Sequence, residues 1–291
     1  MTARERIKET FREYTDHYDP TDVKISLKID HTYRVAENAE LIAKDLGLDE
    51  HDVFLAFSMG MLHDFGRFEQ VRQYGTFIDR NSVDHAELGA DLLFHDGHIR
   101  DFFHIDDNSG NAVNCGNTNF NIDENIDENI DNNIDENNAA ELVLDAQTYS
   151  LIEKVIRLHN KLSLPEGLTD REVLFCNIIR DADKIDIFRV LSEVEYEDGR
   201  DGETNVSPDG ARDSIMQCVR EHRCVPRVGD RTEFEIWVSR YCMAFELVFP
   251  ISRELTKKQG CLAKILDRQP QNEVEAAQLS LVQSELSYYL S

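Results

Sequence analysis

The run VFLAFSMGML, residues 53–62, is apolar around its whole circumference when wound as a helix, and it ends in His63-Asp64. A helix without a polar face has to be enclosed by other elements. The rest of the chain supplies them as helices. Glycine and proline are sparse, at 14 and 6, and the β-branched alternation that marks strands is rare. Helical spacing predicts helices over about 2–17 and over 29–46, the latter with a stripe of Tyr33, Val35, Ala36, Ala39, Ile42 and Ala43 and with Gly47 at its C-terminal stop. The apolar helix begins near Asp52. Residues 66–80 read as a loop with a short turn, and 81–95 as a helix capped by Asn81 or Ser82. Further helices are expected over 139–160, 170–192, 211–223, 231–257, 258–267 and 273–289, with a polar loop at 196–210.

Residues 105–138 break this pattern. They carry a near-tandem NIDE repeat, rich in Asn and Asp and poor in large apolar groups, and read as a solvated low-complexity insertion. A calcium loop of the EF-hand kind needs a central Gly and a terminal Glu after alternating ligands, and that pattern is absent.

Composition excludes several classes. The formal net charge is −26 and no basic run exceeds two residues, so nucleic-acid duplexes and anionic membranes are not expected partners. A small anionic substrate remains open, because a bound metal inverts the local field. No apolar run approaches the roughly 20 residues of a membrane helix, and the charged start MTARERIKETFREY lacks a secretory apolar region. Six scattered cysteines without a C-x-x-C pair suit free thiols in a reducing compartment. The expected location is the cytoplasm. G-x-S-x-G, P-loop and G-x-G-x-x-G motifs are absent.

His-Asp occurs three times, and context separates the three. At 51–52 it opens a helix, where Asp52 suits the positive end of the dipole. At 95–96 it precedes Gly97 in a polar turn. At 63–64 it ends the buried helix, a place where ionisable groups are rare unless paired or metal-bound. His31, His85, His159 and Asp183 sit in comparable surroundings: at a helix start, among small residues, at the end of LIEKVIRLH, and after the apolar run LFCNII. Each alone is more often a satisfied core or surface group than a ligand. Together they place imidazoles and carboxylates on five helical segments.

The order His31, His63-Asp64, Asp183 resembles the H…HD…D signature of the HD-domain superfamily over about residues 25–192, and the strings LHDFGRFEQ, GTFIDRNSVDHAELGA, IRLHNK and IRDADKIDIF are similar to a subgroup of presumed hydrolases. The resemblance implies an all-α HD-domain helical bundle with additional C-terminal helices. The sequence offers no domain boundary and reads as one domain over residues 1–291: a core at about 25–192, the insertion, and a helical extension at about 211–291, either added to the core or a small appendage. The resemblance further implies His31, His63, Asp64 and Asp183 as ligands of one divalent metal, with Asp181 and Asp186 competing for the last place and Lys184 after Asp183 favouring it. His85 and His159 extend this to a dinuclear metal centre bridged by Asp64. Their separation in sequence is long for the family, and the NIDE insertion fills much of it.

Imidazole and carboxylate donors suit Mn, Fe, Mg or Zn. Arg34, Arg67, Lys161 and Lys184 stand beside the ligands in sequence as phosphate-gripping candidates or as partners in salt bridges. Gln70, Tyr74 and Phe77 are either a substrate wall or packing groups. The leading expectation is a metal-dependent phosphohydrolase acting on a phosphomonoester or phosphodiester, such as a nucleotide, through metal-activated water, with Asp64, Asp183, Lys184 and Arg67 at the chemistry and Asp183 or Asp186 assisting proton transfer. The alternatives are a di-iron oxygenase of the inositol-oxygenase type and a non-catalytic nucleotide-sensing module. The amphipathic segment EVEAAQLSLVQSELSYYL suits its own core or a second copy of the chain as a homo-oligomer.

Overall fold

The computed structural model describes residues 1–105, 143–193, 210–226, 230–267 and 269–291. The NIDE insertion, Cys115 and nearly all of the polar loop expected at 196–210 lie outside them. The protein is all-α. Its one pair of strands among the described residues, β1 (His104–Ile105) and β2 (Val143–Leu144), is a two-residue parallel contact. No helix among them is long and apolar enough to cross a membrane. The chain forms two compact units, residues 1–29 with 61–157, and residues 30–60 with 158–291.

The first unit opens with α1 (Ala3–Thr15). Thr2 and Glu5 close a capping box at its start, each side chain satisfying the other's backbone N–H. α1 packs on α4 (Phe65–Tyr74) through aromatic rings. Tyr14 stacks on Phe65 at 3.8 Å, its hydroxyl donates to the Phe65 carbonyl, and Phe11 meets Phe68 edge-on at 5.7 Å. Each fully buried phenylalanine here contributes about 1.5–3 kcal/mol.

The presence of α4 corrects the expectation of a loop at 66–80. Phe65, Phe68 and Val71 recur at helical spacing and are all buried. The helix stops at Gly75, in the left-handed conformation at φ 67°. Gly66 is required for a different reason. A Cβ there would lie 2.5 Å from the Gly89 nitrogen and also meet the His85 carbonyl oxygen, so α4 and α5 (His85–Ala90) touch backbone to backbone. The cap of α5 also differs from expectation. Asp84, not Asn81 or Ser82, accepts from the Ala86 and Glu87 N–H groups, and the chain runs on from Asp91 to His95 as a single wider π turn. After α6 (Ile99–Phe102), α7 (Ala146–Leu158) completes the unit, with Arg157 bridging Glu87 and Asp91.

The second unit is centred on α8 (Asp170–Glu193), whose Phe175, Ile178, Ile179, Ala182, Ile185 and Phe188 are buried. α2 (Val23–Asp45) and α3 (Glu50–Leu62) each contribute to both units. In the second, a Cβ on Gly60 would stand 2.6 Å from Ala36 Cα, so α3 meets α2 with no room for a side chain. Asp52 is bound in two-toothed fashion by Arg171 at 2.6 and 2.7 Å, which gives His51-Asp52 a structural role. The helix expected over 231–257 is divided. α10 (Glu233–Cys242) ends in a 3-10 turn at Met243–Glu246, and α11 (Pro250–Gln259) restarts with Pro250, which cannot donate an N–H inside a continuous helix. α9 (Asp213–Arg220), α12 (Cys261–Leu266) and α13 (Glu273–Leu290) complete the unit. Cys176, Cys218, Cys224, Cys242 and Cys261 are free thiols, and burial pushes the Cys242 thiol up.

Gly66→Ala is expected to destabilise the protein by about 1–3 kcal/mol through overpacking of the α4–α5 contact. The urea midpoint, read by circular dichroism, checks this; an unchanged midpoint would show that the two helices can part.

Candidate metal centre

Asp64 stands at the N-cap position of α4, where a carboxylate normally accepts from its own helix. Its side chain makes no such bond. Forgoing it costs about 1 kcal/mol, and the carboxylate is turned to other partners. Oδ2 lies 3.5 Å from His63 Nε2 and 2.6 Å from Lys28 Nζ, while Oδ1 lies 3.4 Å from His85 Nε2 and 3.5 Å from Arg67 Nε. The side chain is only 3% exposed. Two imidazoles thus lie against different oxygens of one buried carboxylate.

His85, the first residue of α5, is oriented from behind. Its Nδ1 lies 2.8 Å from Asp79 Oδ2, which leaves Nε2 toward Asp64. Burial alone would raise the Asp79 carboxyl, but the His85 hydrogen bond and the charges of His85 and Arg67 hold it well below the usual carboxylate range. Arg67 Nη1 donates to Asp79, to Gln70 Oε1 and to the Phe77 carbonyl, and Gln70 Nε2 donates to Asp79, Ser82 Oγ and the Val83 carbonyl. Gln70 is therefore a strap that fixes the 77–83 loop. Tyr74 is exposed, and Phe77 lies under Arg67 and Lys28 at 5.6 and 5.5 Å from its ring centre.

In the second unit, Asp183 and Asp186 lie three residues apart on one face of α8, and both reach His31. Nδ1 is 2.7 Å from Asp186 Oδ2 and Nε2 is 3.1 Å from Asp183 Oδ1. Asp186 is 1% exposed against 17% for Asp183. Burial would raise the Asp186 carboxyl, but His31 and a two-toothed bond from Arg189 at 2.7 and 2.9 Å hold it low. A carboxylate that fixes one ring nitrogen while the other faces a second ligand is the usual arrangement behind a metal-bound histidine. Asp181 has a different task. Its oxygens accept from the Val248 and Phe249 N–H groups at the start of α11, and burial pushes its carboxyl up.

His159 is buried just past α7, with Lys161 two residues on. Lys184 is buried and pairs with Glu246 at 3.1 Å, and Arg34 pairs along its own helix with Asp30 at 3.0 Å. His95-Asp96 is exposed, as its context implied. Asp79, Asp84 and His85 also offer ligand atoms within 4.8 Å of one another, but Asp84 is committed as a cap and Asp79 as the brace of His85. Lys28, Asp79 and Arg189 were missed in the sequence. Lys28 lies three residues before His31, and that one-turn spacing is the signal that could have marked it.

In each unit the donors suit a divalent ion: imidazoles and carboxylates without a thiolate, with His85 and His31 each braced by a carboxylate. Asp186→Asn is expected to weaken metal binding by about 10–100-fold, measured calorimetrically with Mn(II). An unaltered affinity would show that His31 needs no brace.

A family model described as the HD domain matches residues 29–187, more than half of the chain. No curated protein and no solved structure matches.

Proposed function

The chain belongs to the HD domain family, and on that footing we propose that it is a metal-dependent phosphohydrolase acting on a phosphomonoester or phosphodiester, with a small nucleotide as the representative substrate. His31, His63, Asp64 and Asp183 would hold one divalent ion, and Asp64, His85 and His159 a second. The observation that carries this reading is Asp64, a helix-initial carboxylate that does not cap its helix and whose two oxygens face His63 and His85.

Bound metal would supply Lewis acidity and lower the pKa of water. The chain's own groups do the rest. Asp79 and Asp186 keep His85 and His31 in the tautomer whose Nε2 faces the site. Arg67 and Gln70 hold Asp79 and the loop it stands on. Of the two carboxylates on this face of α8, Asp186 is taken up by His31 and Arg189, and the more exposed Asp183 is the one assigned to proton exchange.

Metal analysis of anaerobically purified protein, paired with a phosphoester panel, tests the proposal. Expected is hydrolysis that needs Mn or Mg and no dioxygen. Asp64→Ala should lose metal and turnover together, whereas His85→Ala should keep roughly half the metal. Metal retained by Asp64→Ala would overturn the site. Iron-dependent turnover that consumes dioxygen would establish the oxygenase reading, and binding of nucleotides with no turnover across the panel the sensing module.

A further inference from the structure

Lys28 has no place in the ligand set, yet its ammonium lies 2.6 Å from Asp64 Oδ2, with side-chain exposures of 12% and 3%. Asp64 is buried and Lys28 half-buried, so the ammonium helps Arg67 to neutralise a carboxylate set away from water. It also lies 5.5 Å from the centre of the Phe77 ring, the ring that Arg67 covers at 5.6 Å. Arg67 is fixed there by Asp79, Gln70 and the Phe77 carbonyl. Lys28 is held by no comparable clamp, and it is a compact charge on a flexible four-carbon stem.

We propose that Lys28 is a displaceable cation: it stands in for metal on Asp64, and once metal is bound it becomes a phosphate-binding residue for the substrate. The proposal rests on the phosphohydrolase reading given above. A divalent ion on Asp64 and an ammonium on the same oxygen repel each other, so loading the site expels Nζ from Oδ2. Its tether at Lys28 Cα and the electron-rich face of Phe77 keep it close. An ammonium driven off its carboxylate, in a chain of net charge −26, then offers its three N–H donors to an anion. The phosphoryl oxygens of a substrate held at the metal are the group that fits. Two properties follow. Lys28 competes with metal for Asp64 in the unloaded protein, and it adds to anion affinity only in the loaded one.

The test titrates the full chain, wild type and Lys28→Met, first with Mn(II) and then, once Mn-loaded, with inorganic phosphate, by calorimetry. Lys28→Met is expected to bind Mn(II) severalfold more tightly and phosphate about tenfold more weakly, the loss of one charge-assisted hydrogen bond. Lys28→Arg should recover most of the phosphate affinity. With a phosphoester that the wild type hydrolyses, Lys28→Met should raise KM more than it lowers kcat. Lys28→Gln keeps a donor for Asp64 and repeats the measurement if the Met variant folds poorly. Equal phosphate binding by loaded wild type and Lys28→Met would overturn the proposal, and so would loss of Mn(II) binding in the variant. Failure of the function itself looks different: the loaded wild type would then neither bind phosphate nor hydrolyse any phosphoester.

Discussion

The first unit depends on a carboxylate that declines its ordinary partner. Asp64 occupies the position from which an acidic residue caps a helix, and makes no capping bond. What it gains is a ring of positive and dipolar partners: an ammonium, a guanidinium and two imidazoles divided between its two oxygens. Burying a charge is tolerable only when partners of this kind replace water. The surrounding sequence follows from that need. The apolar helix α3 carries the acid into the interior, α5 begins at the residue that must face it, and the 77–83 loop is strapped so that Asp79 can hold that residue in orientation.

The same logic recurs on α8, where three carboxylates close together in sequence have three fates. Asp181 serves the backbone at the start of α11, Asp186 braces His31 with Arg189 behind it, and Asp183, the most exposed of the three, faces His31 Nε2. Charge alone does not distinguish them. The helical period does, because positions 183 and 186 share a face that 181 does not.

Much of this was legible in the chain. The all-round apolar run 53–62 demanded a helical enclosure, and the context of His63-Asp64 set it apart from the other two His-Asp pairs. Helix existence was readable wherever the apolar spacing was long, as over 170–192. Two errors have a common cause. The loop expected at 66–80 is largely α4, and the helix expected over 231–257 is divided before Pro250, because a single residue's local meaning depends on what lies against it. Gly66 sits inside a helix since another backbone occupies the space its side chain would need. Pro250 opens a helix since the preceding one has already ended in a 3-10 turn. The braces Asp79 and Arg189 were illegible for a related reason. Charged residues are common in this sequence, and only distance reveals which few are buried against a ligand.

The contact between Gly66 and Gly89 bears on how such a site can vary over time. With backbone against backbone, the separation of α4 and α5 has no intermediate settings: any side chain at either position removes the contact rather than loosening it. His85 is carried by that contact. Its approach to Asp64 is therefore inherited whole or lost whole, and adjustment of the chemistry is left to residues such as Lys28 and Phe77, whose side chains can change length and charge without moving a helix.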